Sequence, residues 1–133
     1  MISKKYKFYK ASLKSIKDYW INNPCEEWFF GPGINCKNIN QIDLKQFKLN
    51  SSLRYSAEPE VKKFTNFNLL KDMNVLEVGC GLGSDAVLIA KSAKKYTGID
   101  LSEKSYDVTS RRLKMYSLEN TKLIVGSCTS LDF

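Results

Sequence analysis

Three glycines separated by single residues, Gly79, Gly81 and Gly83, stand between an acid two positions upstream, Glu77, and a second acid one apolar run later, Asp100. Glycine takes positive φ readily and carries no Cβ, so this spacing lets the chain turn sharply and lets a ligand come against bare backbone. Asn74 to Val78 reads as a strand and Tyr96 to Asp100 as a second one. Asp100 then falls at the carboxyl end of a strand, where parallel α/β sheets seat their ligands and where a carboxylate accepts hydrogen bonds from a ribose diol. Strand, glycine turn, helix, strand, acid is the order of a nucleotide-type pocket.

The spacing also discriminates among ligands. A dinucleotide fingerprint is G-x-G-x-x-G with a pyrophosphate at the helix N-terminus. Here the pattern is G-x-G-x-G, and Glu77 brings a negative charge that a diphosphate would have to approach. A cationic ligand fits better. A P-loop is excluded because no Gly-Lys-Ser/Thr follows the glycines.

The elements that must position these groups follow from patterning. The first strand is near-continuously apolar, which predicts burial on both faces. A helix is expected from Ser84 to about Lys95, and Ser102 reads as the N-cap of another reaching about Ser117, with Glu103 complementing its macrodipole. Lys122 to Gly126 reads as a third strand. Upstream, Tyr6, Tyr9, Leu13, Ile16 and Trp20 recur at helical spacing and predict an amphipathic helix docked by its apolar stripe, with lysines on the solvated face. Residues 21–68 carry little periodicity and read as loops or a lid: Cys25 to Phe30 place two acids and three aromatics beside the turn Gly31-Pro32-Gly33, either closing over a ligand or anchoring this region on the core. Pro59 holds its neighbour extended, and Val61 to Phe64 begins a short helical piece.

Composition narrows the class. With 133 residues, 43% hydrophobic and 26% charged, the chain suits one globular domain. Its net charge of +7 comes mostly from residues 1–20, where six lysines face one aspartate, so a nucleic-acid partner is not expected. No membrane span and no apolar signal-peptide core is visible, which makes a cytoplasmic location the expectation. Four dispersed cysteines and no histidine give no clustered metal ligands.

Glu77-Val78-Gly79-Cys80-Gly81-Leu82-Gly83 with Asp100 resembles motif I and the following acid of class I S-adenosylmethionine-dependent methyltransferases. Asn22-Asn23-Pro24-Cys25, Arg54 to Glu60 and Asn120 to Gly126 are similar to a bacterial small-molecule subgroup of that family. The resemblance implies an α/β, Rossmann-like parallel sheet, with residues 1–68 an N-terminal helical and lid-like extension and 69–133 a partial cofactor-binding domain. It implies S-adenosylmethionine as cofactor and S-adenosylhomocysteine as product. Cofactor contacts are carried over to Tyr55, Glu77, Gly79, Cys80, Gly81, Gly83, Asp85, Asp100, Leu101, Ser127 and Cys128: Glu77 toward the amino-acid end, Asp100 on the ribose, Leu101 on the adenine. Glu58 is expected beside Tyr55. No metal is implied and no catalytic residue is named. The chain departs from the family in having Gly126-Ser127-Cys128 where Gly-Asp-Ala is common, which leaves a hydroxyl and a backbone N–H to meet the adenine.

The family sheet has seven strands, and this sequence reaches Phe133 just past the third. The expectation is an N-terminal portion of a longer enzyme, or a sheet completed by another chain or a second copy. The reading is a methyltransferase acting on a small molecule; the alternative is a non-catalytic S-adenosylmethionine-binding or interaction module. A dinucleotide oxidoreductase stands behind both.

Overall fold

The computed structural model describes residues 11–30 and 36–131. Three parallel strands, β1 (Asn74–Val78), β2 (Lys95–Asp100) and β3 (Thr121–Val125), lie side by side in the order β1-β2-β3. The α-helices are α1 (Leu13–Asn22), α2 (Leu44–Ala57), α3 (Pro59–Phe64), α4 (Ser84–Ser92) and α5 (Glu103–Met115). This is the Rossmann-like arrangement expected, with α4 and α5 as the crossovers that parallel strands require.

Register fixes which residues share a face. Val75 pairs with Tyr96, and Glu77 with Gly98, while Gly98 pairs with Leu123 on β3. These residues look toward the helices, and Val75, Tyr96 and Leu123 pack with Ala86, Val87, Ile89, Ala90 and Leu113. The alternate residues look the other way. There Leu76 is 41% and Val78 54% exposed, so β1 is not buried on both faces as its composition predicts. Among the described residues β1 has a strand neighbour on one side only, and nothing covers this part of the opposite face.

Element boundaries also differ by a few residues. Helix α4 stops at Ser92, short of Lys95, because the Lys94 and Lys95 N–H groups both donate to Met73 O, at 2.9 and 3.2 Å, and draw the chain into the sheet. Asn120 Nδ2 meanwhile donates to the carbonyls of Ala90 and Ala93, closing the helix end. The third strand begins at Thr121 and ends at Val125, one residue earlier than expected at each end.

The larger correction is α2. Residues 44–57, read as loop, form a 14-residue helix opened by a capping box: Asp43 Oδ1 accepts the Gln46 N–H at 2.8 Å, and Gln46 Oε1 accepts the Asp43 N–H at 2.6 Å. The N-terminal helix is present from Leu13, capped by Ser12; Tyr6 and Tyr9 lie outside the described residues, as does the turn 31–33. Phe30 is buried against Phe47, with ring centroids 5.8 Å apart, whereas Trp28 is 69% exposed. Phe30 is thus an anchor and Trp28 is not.

Arg112, fully buried on α5, joins the two halves. Its Nη1 donates to Leu82 O at 2.8 Å, and its Nη2 reaches Phe47 O and Asn50 Oδ1, both at 3.0 Å, while the guanidinium lies 5.0 Å from the Phe47 ring centroid. Burial pulls its pKa down to about 10.

Candidate functional site

The turn after β1 is built on left-handed backbone: φ is +76° at Gly79, +52° at Gly81 and +78° at Gly83. L side chains avoid this region, so the three positions call for glycine on conformational grounds alone. Their surroundings differ. A Cβ on Gly79 would meet nothing within 4 Å, and one on Gly81 only the Gly79 carbonyl at 4.0 Å. On Gly83 it would sit 2.8 Å from the Thr109 side chain. The first two glycines leave open space for a ligand, and the third lets α5 close on the turn. Gly79 N donates to Ile99 O at 2.7 Å, and Thr109 Oγ1 donates to Gly81 O at 2.8 Å, which hold the turn from both sides.

Asp100 is tied to the same turn. Its Oδ2 accepts the Gly81 N–H at 2.9 Å, and its Oδ1 accepts the Ser102 N–H at 2.9 Å. Each carboxylate oxygen retains a second acceptor direction. The carboxylate is therefore oriented by backbone and still able to receive hydroxyls.

A cleft of about 450 Å³ lies over these groups. Gly79, Gly81, Asp100, Leu101, Ser127 and Cys128 line it, all at the carboxyl ends of the strands. Leu13, Ile16 and Trp20 form the facing wall: the apolar stripe of α1 borders the cleft instead of docking into the core, and no residue of α1 is buried. Lys17 is ion-paired with Glu103, which fastens α1 to the start of α5 and keeps the Glu103 pKa below its ordinary value.

Tyr55, Glu77, Cys80, Gly83 and Asp85 are not on the cleft lining. Glu77 alternates with Val78, so it projects toward the helices, where its Oε2 accepts the Tyr96 hydroxyl at 2.6 Å. The Tyr96 ring passes over Gly98, the residue paired with Glu77, in space that a side chain there would fill. Burial raises the Glu77 pKa to about 7, although the Tyr96 hydrogen bond opposes the rise. Burial also raises the Cys80 thiol, to about 12. Asp85, in the first turn of α4, accepts the Tyr55 hydroxyl at 2.6 Å and Arg54 Nη1 at 2.7 Å.

Arg54 is the centre of that second group. Its Nε lies 2.7 Å from Glu26 Oε1 and 3.5 Å from Glu58 Oε2, while Ser84 Oγ donates to Glu26 Oε2 at 2.6 Å. Burial works against the Arg54 charge, but the hydrogen bond to Asp85 and the charges of Glu26 and Asp85 prevail and raise its pKa. Burial raises the Glu26 and Tyr55 pKa values. The cluster clamps α2 and the segment around Glu26 to the start of α4, directly behind the glycine turn.

Residues 75–133 match a family profile described as "Methyltransferase domain". This part of the chain is similar to a methyltransferase domain. A probable cobalt-precorrin-6B C(15)-methyltransferase (decarboxylating) of Methanococcus maripaludis is 39% identical over 64 residues, 48% of this chain and 35% of the relative. Its counterpart in Methanocaldococcus jannaschii is 39% identical over 59 residues, 44% of this chain and 32% of that one. The chain thus spans about a third of the length of the curated relatives it matches. Among solved structures, magnesium protoporphyrin IX methyltransferase from Synechocystis PCC 6803 with bound S-adenosylmethionine superposes with a TM-score of 0.60. That match covers 93% of this chain and 59% of the other at 18% identity, a likeness of fold.

Several groups around the cleft escaped the sequence reading. Ser105 and Thr129 line it, and Thr109, Arg112, Arg54 and Glu26 brace its floor. The detectable signal was the capping box at Asp43, which announces α2 and with it the helical placement of Arg54. The orientation of Glu77 was also recoverable, since a strand residue next to a cleft-facing Val78 must face away.

Proposed function

We propose that the chain binds S-adenosylmethionine in the α1-covered cleft and serves a methyltransferase acting on a small molecule. The observation that carries this reading is the convergence, on one cleft, of two glycines with nothing where their Cβ atoms would be and an acid with both oxygens pre-oriented. The residues fit the group: Gly79 and Gly81 leave backbone bare for the methionine part, Asp100 has acceptor capacity for two ribose hydroxyls, and Leu101 offers an apolar surface to a base. Ser127 and Cys128 border the same end. Bound here, the sulfonium would supply an activated methyl group, and orientation by the protein is worth roughly 7–11 kcal/mol of barrier in well-aligned reactions.

On the geometry, Glu77, Cys80, Gly83, Tyr55 and Asp85 support the turn from behind. The wall formed by Leu13, Ile16 and Trp20 excludes water from one side of the cleft. The named substrates of the similar proteins, cobalt-precorrin-6B and magnesium protoporphyrin IX, are small molecules, which supports an acceptor of that class. The exposed face of β1, and its edge that has no strand neighbour among the described residues, support completion of the sheet by further polypeptide or a second copy. No helix among the described residues is long and apolar enough to cross a membrane, and a cytoplasmic location is part of the proposal.

Titration calorimetry with S-adenosylhomocysteine and with NAD tests the cofactor reading. Binding of the first and not the second is expected; binding of NAD alone overturns it.

A further inference from the structure

Acids outnumber bases around the glycine turn. Glu26, Glu58 and Asp85 stand about Arg54 at 2.7, 3.5 and 2.7 Å, Asp100 accepts from the turn, and Glu77 precedes it. Against them stand Arg54 itself, Lys62 at 4.4 Å from the Tyr55 ring centroid, and the buried Arg112, so an excess of negative charge remains even with Glu77 protonated. Cations beside the cleft are matched elsewhere: Lys17 pairs with Glu103, and Lys104 lies 3.6 Å from Glu27. The whole chain carries +7, which makes this a local reversal of sign.

The reversal reaches the cleft itself. Cys25 lies on the lining and Cys80 between the two open glycines. Burial raises the Cys25 pKa, the charges of Glu26 and Asp100 add to the rise ahead of the opposition from Arg54, and Glu58 adds again. At Cys80 burial leads, and Asp100 and Glu77 act in the same sense. Both thiols therefore sit where the surrounding charge favours a cation.

We propose that this acidic surround selects the charge of the ligand, holding the sulfonium of S-adenosylmethionine in preference to the neutral thioether of S-adenosylhomocysteine, with Glu26 and Glu58 setting that preference from outside the ligand's contacts. The proposal rests on the cofactor reading above. The two ligands share base, ribose and amino-acid part and differ by one methyl group and one positive charge, so hydrogen bonds to the turn and to Asp100 cancel in the comparison. What remains is the field of the surround. Glu58, whose side chain is 51% exposed, acts through partly screening solvent, and its share is a few-fold.

Calorimetric titration of the chain with each ligand, at low and at high salt, tests this together with Glu58→Gln and Glu119→Gln. Glu119 is the control: it removes the same unit of charge from an exposed position just before β3, at the opposite end of the strands from the cleft. In the parent chain S-adenosylmethionine is expected to bind at least about threefold more tightly at low salt, with the ratio falling toward one at about 0.5 M salt. Glu58→Gln should lower the ratio by about two- to fivefold, chiefly by weakening the sulfonium ligand, and Glu119→Gln should leave it at the parent's value. Equal binding of the two ligands by the parent chain, or tighter binding of the thioether, overturns the proposal. So does a ratio indifferent to salt or to Glu58→Gln, or one that Glu119→Gln lowers as much. If neither ligand binds, the cofactor reading itself fails and the proposal falls with it; binding of both without a charge-dependent ratio removes only the proposal.

Discussion

The Tyr96 hydroxyl donates to the Glu77 carboxylate across the bare α-carbon of Gly98, on the helix-covered side of the sheet. The acid that precedes the glycine turn is therefore a part-buried group hydrogen-bonded to a phenol, and desolvation brings its pKa to about 7.

That position has a signed consequence for stability. The folded pKa lies above the ordinary value of 4.5, so the folded state holds the proton more tightly than the unfolded one. Its contribution is fully present below pH 4.5 and is lost as pH rises through about 7. Glu77→Gln keeps an oxygen for Tyr96 and removes the titration. Urea unfolding should show the variant equal to the parent near pH 4.5 and more stable at pH 8, by up to about 3 kcal/mol. Parallel stability curves across that range would contradict the assignment.

The glycines of the turn should separate by readout. Gly83→Ala places a methyl group against Thr109 as well as forcing alanine to positive φ, and is expected to cost about 2–4 kcal/mol of stability. Gly79→Ala bears only the backbone strain, about 1–2 kcal/mol, yet fills space left for a ligand. Thermal unfolding and S-adenosylhomocysteine titration on both variants check this: Gly79→Ala should lose proportionately more affinity than stability.

Asp100→Asn retains one oxygen for two backbone donors and turns an N–H toward the other. Weakening of S-adenosylhomocysteine binding by about 10- to 100-fold is expected, from hydrogen bonds to a charged acceptor. An unchanged dissociation constant would show that the ribose is held elsewhere.

Arg54 has partners on three sides, and its loss would leave Glu26 and Asp85 facing each other in a half-buried site. Arg54→Met should destabilise by about 3–5 kcal/mol. Adding Asp85→Asn should recover part of the loss in denaturant unfolding, because a neutral amide no longer needs the guanidinium.

Trp20 lines the cleft and Trp28 does not. In a Trp28→Phe background, S-adenosylhomocysteine should change the tryptophan emission, and Trp20→Phe should abolish that response. Emission insensitive to a ligand that calorimetry shows to bind would remove α1 from the ligand's surroundings.

What was legible in the sequence was what is local. The glycine run, the Ser102 cap and the short apolar runs located β1, α4, β2, α5 and β3 within a few residues. Helix α2 was not legible from periodicity because its buried residues include Asn50 as well as Phe47 and Tyr55, while Leu49 and Leu53 face solvent. Its stability comes from contacts remote in sequence, among them Arg112 to Phe47 O and Asn50. At the site, spacing identified the open glycines and Asp100 but not the face on which each neighbour lies. Glu77 and Asp85 are near the cleft in sequence and behind it in space. The α1 stripe was read as docking surface, and its placement as cleft wall depends on the Lys17 tie to Glu103, which no local pattern announces.

Arg112 makes position 112 a place where chemistry admits a single occupant. Two nitrogens of one rigid plane serve the main-chain oxygens of Leu82 and Phe47, on stretches of polypeptide thirty and sixty-five residues away. Lysine offers one nitrogen on a supple stalk and can answer only one of those stretches at a time, so even this conservative exchange would let α2 drift from the glycine turn.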